Sequence, residues 1–196
     1  MIFVALKLLA AFSRESPVQN NPACLVQPQF ELDTFKEPVL PVATAKVEGR
    51  RKLDFKSLNE VVADADRLSS GAVTTLGNWS AGQIFRHLAT AYNGSIDGFK
   101  ATFPWPMRFM ARLLKNKLIN GAMPPGIKVP AQFAKEVMPE PTSTEDGLAQ
   151  LRAAVARLER EPKRAKHPVF GELSKEEWQK VHLMHANLHM SFLVPQ

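Results

Sequence analysis

Four of the five histidines in this 196-residue chain stand where imidazole nitrogens can act together. His185 and His189 are four residues apart and His182 precedes them by three, so a helix places all three on one face. Two imidazoles at this spacing are a helical way to bring two nitrogens to one metal ion. His87 lies in a separate predicted helix and can supply a third nitrogen. Three nitrogens leave positions open for water or substrate, which is typical of catalytic metal sites.

The histidine pattern leaves both the metal and the reaction open. Imidazole binds zinc, nickel, iron and copper, so the ligand type alone does not select the ion. A histidine on an apolar helix face is also more often a buried core residue than a ligand. Ala186 stands where the His-Glu-x-x-His peptidases carry their glutamate base, which excludes that class. The one cysteine, Cys24, excludes an intramolecular disulfide and a cysteine-rich zinc module.

Serine-led start signals mark the helices that must position these histidines. A serine followed three residues later by Glu or Gln is a capping box, in which each side chain bonds the other residue's backbone N–H. The three boxes are Ser57 with Glu60, Ser80 with Gln83, and Ser174 with Glu177. Apolar residues continue at helical spacing after each box, and also from Thr144 to about Glu161. We therefore predict four long helices, the second carrying His87 and the fourth carrying the remaining three.

The predicted fold is an all-α, four-helix bundle, because no segment shows sustained strand alternation. A long connection, from about Phe99 to Ser143, joins the second and third long helices. A crossover of that length allows these two helices to lie parallel instead of forming a hairpin. We predict one short extra helix inside it, from about Pro106 to Asn120.

The first 46 residues differ in composition from the rest. They hold five of the fifteen prolines and no hydrophobic period beyond Phe12, so we predict a poorly ordered extension at 1–46 and a bundle at 47–196. The apolar stretch from Met1 to Ser13 is too short to span a membrane. Its lysine lies in the middle, whereas a signal peptide carries its charge first. We expect a cytoplasmic protein, with export left open.

The net charge of +6 is concentrated in the crossover, where the segment from Gly98 to Lys135 has seven basic residues and no acidic ones. Arg108 and Arg112 share one face of the short helix. Such a helix usually packs with its charged face in solvent. The alternatives are a lid that binds an anionic cosubstrate, a membrane-surface helix, or a docking face for an acidic partner. We expect no nucleic-acid partner, since no reader motif accompanies the charge; a homodimer is left open.

Two separate motifs resemble those of the DinB/YfiT-like bundles. The segment Asn78-Trp79-Ser80-Ala81-Gly82-Gln83-Ile84, followed by His87-Leu88, is similar to their Trp-Ser start and helix-borne histidine. The closing His185-x-x-x-His189 is similar to their last-helix pair. Phrases at 50–55, 93–98, 168–171 and 185–192 look like one branch, domain of unknown function 1569. The resemblance covers about residues 49–193.

The resemblance implies an up-down-down-up bundle with a divalent metal, such as Zn, Ni, Fe or Mn, held by His87, His185 and His189. Some relatives are S-transferases that use low-molecular-weight thiols, and others are hydrolase-like. We therefore expect a metal-dependent small-molecule thiol transferase. The alternatives are a metal-dependent hydrolase and a non-catalytic bundle that docks an acidic partner.

Further residues have expected supporting roles around this site. His182 has no place in the family's three-histidine motif, so we expect it to orient the ligands or to replace one. Gln83 is expected to orient His87 or a water, if it does more than cap its helix. Arg108 and Arg112 are the candidate substrate-binding residues. No catalytic side chain is assigned.

Overall fold

The computed structural model describes residues 41–100, 103–127 and 131–196. The expectations for residues 1–40, including Cys24, lie outside the described residues. The helices are α1 Leu58–Ser69, α2 Ala81–Asp97, α3 Trp105–Leu113, α4 Lys115–Ile119, α5 Ala131–Val137, α6 Thr144–Arg160 and α7 Lys175–Met190. One 3-10 turn covers Thr44–Lys46, and strands β1 Val73–Thr75 and β2 Leu193–Pro195 pair antiparallel. The protein is therefore mostly helical, as predicted.

A small sheet adds to this roughly all-α fold. Each strand has three residues, too few to show an alternating pattern in the sequence. The pairing sets Val73 opposite Pro195, so the segment after α7 folds back along the segment after α1. Leu193 of β2 is fully buried and joins the main core. The sheet thereby fixes the end of the chain that follows the histidine-bearing helix.

Capping sets where the histidine-bearing helices begin. At α2, Ser80 accepts a hydrogen bond from the Gln83 backbone N–H, and the Gln83 side chain accepts one from the Ser80 N–H, so the predicted box is complete. The same pair of bonds forms at the start of α7. At α1, Ser57 caps the helix but the Glu60 carboxylate accepts from the N–H of Lys56, one residue earlier than predicted.

Two glycines bring α2 and α6 together at their first turns. A Cβ placed on Gly82 would lie 2.3 Å from the carbonyl oxygen of Ser143, and one on Gly147 would lie 2.3 Å from that of Gly82. At the other ends, Arg157 of α6 binds the carboxylate of Asp97 of α2 at 2.7 Å. The two helices therefore run side by side in the same direction, the arrangement that the long crossover allows.

The core lies between α1, α2, α6 and α7. Its largest fully buried side chains include Tyr92 and Phe85 of α2, Leu151 of α6 and Met190 of α7. α7 runs antiparallel to α2, since His185 lies beside His87 whereas His182 lies beside Ser95. Within the three described ranges, no helix is both long enough and apolar enough to cross a membrane.

The crossover contains more helix than the sequence predicts. The single helix expected from about 106 to 120 is two helices, α3 and α4, separated at Leu114. α5 was not predicted, because seven residues are too few for a hydrophobic period to stand out. Residues 41–46, assigned to the extension, contact the folded part: Val42 exchanges two hydrogen bonds with the Asn78 side chain. The domain boundary at 47 stays a prediction.

Candidate metal centre

The three histidines that the sequence grouped lie together between α2 and α7. His87 is in the second turn of α2, and His185 and His189 are one turn apart near the end of α7. One nitrogen from each ring lies within 4.8 Å of the others. The Nε2 atoms of His87 and His185 are 3.0 Å apart, and the three rings meet edge to face with centroids 4.5–4.9 Å apart. The chain thus presents three converging imidazoles.

A backbone carbonyl fixes the orientation of His87. Its Nδ1 lies 2.7 Å from the carbonyl oxygen of Val137, the last residue of α5. Because a carbonyl only accepts, Nδ1 carries the proton and Nε2 keeps a free lone pair directed at His185. Histidines that bind metals almost always donate their other N–H in this way, which orients the ring and raises its basicity. His87 is therefore held in the tautomer that a ligand needs.

Gln83 contacts the backbone just beyond α5. Besides closing the capping box, its Nε2 donates to the carbonyl of Pro139 at 3.3 Å. Pro139 is two residues beyond Val137, so this bond ties the end of α5 to the same helix that carries His87. The expected role of Gln83 in orienting His87 stays a prediction.

The nitrogen separations suit a shared ion. Nitrogens bound at about 2.0–2.1 Å to a tetrahedral ion lie about 3.3 Å from one another. The 3.0 Å separation and the 4.8 Å limit of the group bracket that value. The 3.0 Å contact is equally the length of an N–H···N hydrogen bond between the two rings. The residues present therefore fit a three-histidine metal site.

Burial keeps these imidazoles neutral. It lowers the pKa of His87, although the Val137 carbonyl partly opposes the shift. Burial, reinforced by neighbouring imidazoles, lowers the pKa values of His185 and His189 well below the usual histidine value. The Trp79 indole stacks on His189 with ring centroids 5.3 Å apart and shields it. Neutral imidazoles bind a cation without first losing a proton.

A cavity of about 670 Å³ opens onto the three histidines. Its walls are aromatic and aliphatic, with Trp79, Trp178, Phe170 and Met184 among them. The crossover supplies much of one wall through residues 103, 107, 118 and 122–127. None of the described residues that line the cavity is Asp, Glu, Lys or Arg. The described wall that the candidate centre faces is therefore apolar and without charged side chains, and it encloses a space of ordinary small-molecule size.

Comparison with known families gives one assignment. A family model described as "Protein of unknown function (DUF1569)" matches residues 47–196. The chain belongs to the DUF1569 family. This confirms the branch to which the sequence motifs pointed. No curated protein and no solved structure matches the chain.

His182 of this DUF1569 protein is held apart from the three converging rings. Its Nε2 lies 3.1 Å from the hydroxyl of Ser95, which itself donates to the carbonyl of Tyr92. The hydroxyl therefore accepts the Nε2 proton of His182. The His182 ring also stacks on Trp178, with centroids 5.3 Å apart. It lines the same cavity, and its predicted role in orienting or replacing a ligand stays a prediction.

His167 is the cavity residue that sequence reasoning missed. Its Nδ1 accepts hydrogen bonds from the backbone N–H groups of Val169 and Phe170, both at 3.1 Å, so Nε2 carries the proton. Its ring stacks on Phe170, and it lines the same cavity as His182 in the DUF1569 bundle. The signal available in the sequence was the Pro168-Val-Phe-Gly171 turn that supplies both N–H groups.

Arg108 and Arg112 lie on another surface of the DUF1569 fold. They line a separate depression with Trp105 and Phe109, and the Arg112 guanidinium packs against Gly171. Neither is among the described residues that line the histidine cavity. Their substrate-binding role stays a prediction, with no contact to the three imidazoles to support it.

Proposed function

We propose that this DUF1569 protein is a DinB-like metalloenzyme in which His87, His185 and His189 bind one divalent transition ion. Zn, Ni, Fe and Mn are the candidates. One observation carries the proposal: three neutral imidazoles converge at the wall of an apolar cavity, and the Val137 carbonyl holds one of them in the ligand tautomer. A structural ion needs no such chamber, whereas a catalytic ion needs room for substrate.

The helix directions support DinB-like membership. α2 and α6 run parallel, and α7 runs antiparallel to α2. An up-down-down-up bundle has this relation between its second, third and fourth long helices, with a crossover joining the middle two. The three histidines then come from the second and fourth long helices, as the sequence resemblance implies.

The chemistry we propose is transfer of a small thiol to an electrophilic acceptor. A divalent ion held by neutral ligands keeps its charge, which lowers the pKa of a thiol or a water towards neutrality. The described cavity lining offers no carboxylate to act as a general base. A thiolate needs no such base, whereas water attack benefits from one. The thiol would release its proton to solvent, its sulfur would bond to the acceptor carbon, and the leaving group would depart with the electron pair of the bond that breaks.

The chain's own contribution to such a reaction is binding, orientation and exclusion of water. The Val137 carbonyl and the stacked Trp79 ring hold the imidazoles. The apolar walls would hold the acceptor beside them and keep bulk water out, which strengthens electrostatic interactions inside. A metal-dependent hydrolase that uses the same ligands is the second enzymatic candidate.

A non-catalytic docking role is the alternative that one observation favours. Trp105, Phe109 and Leu113 of α3 are 77, 56 and 66% exposed. Arg108 and Arg112 lie on the same helix and outside the histidine cavity. Exposed apolar side chains beside cations suit an acidic protein partner.

The test begins with elemental mass spectrometry of the full-length protein, purified without chelators. We expect about one equivalent of transition metal per chain. Turnover is then measured with small thiols and an electrophilic acceptor, and separately with esters and amides. Metal-dependent consumption of the acceptor only when thiol is present supports the transferase. Ester or amide cleavage without thiol replaces it by the hydrolase, and metal-free protein contradicts both.

A further inference from the structure

We infer that the cavity beside the three histidines selects an uncharged, apolar molecule, so that the acceptor substrate is a neutral compound with a long aliphatic or aromatic body. That the bound molecule is the acceptor of the reaction rests on the proposed function, whereas the preference for a neutral molecule depends only on the cavity. It departs from the expectation of an anionic cosubstrate bound by the basic helix.

The composition of the wall is the first argument. Aromatic rings, methionines and prolines surround the space, including Phe103, Met107, Met123 and Pro125 from the crossover. About 670 Å³ is enough to bury most of a molecule of drug-like size. Burying apolar surface against such walls is favourable in proportion to the area removed from water. Methionines add adaptability, because their unbranched side chains fit irregular shapes.

The treatment of charge is the second argument. None of the described lining residues is Lys, Arg, Asp or Glu, and burial keeps His167 and His182 neutral by lowering their pKa values to about 4 and about 3. An ionised ligand group would lose its hydration inside the cavity without gaining a charged partner from the described wall, which disfavours its binding. Arg108 and Arg112, the candidate substrate-binding residues, line a different depression. Apart from the three converging imidazoles, the described wall therefore gives an ion of either sign no charged partner.

The test compares three ligands of matched chain length: decan-1-ol, decanoate and decylammonium. Trp79 and Trp178 line the cavity and report binding by fluorescence, and Trp105→Phe removes the third, exposed tryptophan. Binding is measured on metal-depleted protein, so that a carboxylate cannot bind through an ion. We expect saturable binding of decanol, at least about tenfold tighter than that of either ion. Equal or tighter binding of decanoate overturns the inference.

Two substitutions locate the binding. Ala91 lines the cavity one turn beyond His87, and Ala91→Phe should weaken decanol binding by about tenfold or more by filling the space. Ala63→Phe places the same ring on an exposed position of α1 and should leave binding unchanged. Circular dichroism melts of both variants check that each folds. Unchanged decanol affinity in a folded Ala91→Phe protein overturns the inference.

A charge-adding variant keeps the inference testable if Ala91→Phe does not fold. Met107 lies at the rim, half exposed, and lines the cavity from α3. Met107→Glu adds a carboxylate, which none of the described lining residues carries, so decylammonium binding should strengthen relative to decanol binding. If Met107→Glu leaves the affinity of decylammonium relative to that of decanol unchanged, the wall does not select ligands by charge.

The outcomes separate this inference from the proposed function. If the protein binds no metal but prefers decanol, the inferred selectivity for neutral ligands is supported and the proposed metalloenzyme is contradicted. If the protein binds one metal per chain but its metal-depleted form prefers decanoate, the metal centre is supported and the inferred selectivity is contradicted.

Discussion

Two groups of buried or half-buried imidazoles border one cavity, and they differ in what their nitrogens contact. His167 accepts two backbone N–H bonds, and His182 donates to the hydroxyl of Ser95, so both are engaged by the protein's own polar groups. In the other group, His87 has a carbonyl on one nitrogen and faces His185 with the second. Burial and residue type are alike in both groups. The convergence of nitrogens on one another is therefore what distinguishes the proposed ligands from the other two histidines.

The largest expected effect is on metal binding, and it separates the two groups. Replacing His87, His185 or His189 by Ala should weaken metal affinity by more than about 100-fold, because each substitution removes one of three ligand nitrogens. His182→Ala and His167→Ala are the matched controls and should change it by less than about tenfold. Competition with a chromogenic chelator measures all five. If His182→Ala lowers metal affinity as much as His189→Ala does, His182 is a ligand and the two groups of imidazoles do not differ in this respect.

The next effect concerns the glycine contact that positions α2. Gly147→Ala pushes a methyl group into the backbone of Gly82, which should cost about 1–3 kcal/mol of unfolding free energy. Gly71→Ala is the control, since a Cβ there meets nothing within 4 Å. Gly82 is one and a half turns from His87, so a shift of the first turns of α2 should displace His87 and lower metal affinity as well. Ser95 is at the far end of the helix. Urea unfolding and chelator competition test both effects, and a Gly147→Ala protein as stable as Gly71→Ala would contradict them.

A third prediction uses pH to examine His167. Burial lowers the pKa of His167 in the folded protein to about 4, whereas an unfolded histidine titrates near 6.5. Between pH 4 and pH 6.5 the unfolded chain therefore binds more protons at His167 than the folded chain does. The contribution of neutral His167 to the free energy of unfolding is fully present above pH 6.5 and is lost as the pH falls towards 4. The shift corresponds to about 3 kcal/mol.

His167→Asn keeps an acceptor for the two backbone N–H groups and removes the titration. Metal-free His167→Asn should therefore lose less stability than the unchanged chain between pH 7.5 and 4.5, as measured by urea unfolding. Identical pH dependence in the two proteins would show that His167 is not the titrating group.

The smallest effect concerns the carbonyl that orients His87. Gln83→Glu retains an acceptor for the capping box but removes the N–H that donates to Pro139. We expect metal affinity to fall by about threefold, since the change acts on a ligand only through the backbone around Val137. Isothermal titration calorimetry can resolve this difference. Full affinity in Gln83→Glu, with a loss only in Gln83→Ala, would restrict Gln83 to capping.

The features that the sequence predicts are those set by residues close together in the chain. Ser80 with Gln83 and Ser174 with Glu177 set the starts of α2 and α7, and helical spacing then places the histidines in register. The Val137 carbonyl was not predictable, because every residue carries a carbonyl and only the path of the crossover brings this one to His87. β1 and β2 pair across most of the folded chain and are too short to show a pattern.

The parallel start of α2 and α6 has an electrostatic consequence. A helix N-terminus carries roughly half a positive elementary charge, so two such ends lie side by side where Gly82 meets Gly147. The first turn of α2 has no acidic residue, whereas that of α6 has Glu145 and Asp146. These two carboxylates offset the repulsion between both macrodipoles. The beginning of the helix that carries His87 is thus stabilised by charges that belong to a different helix.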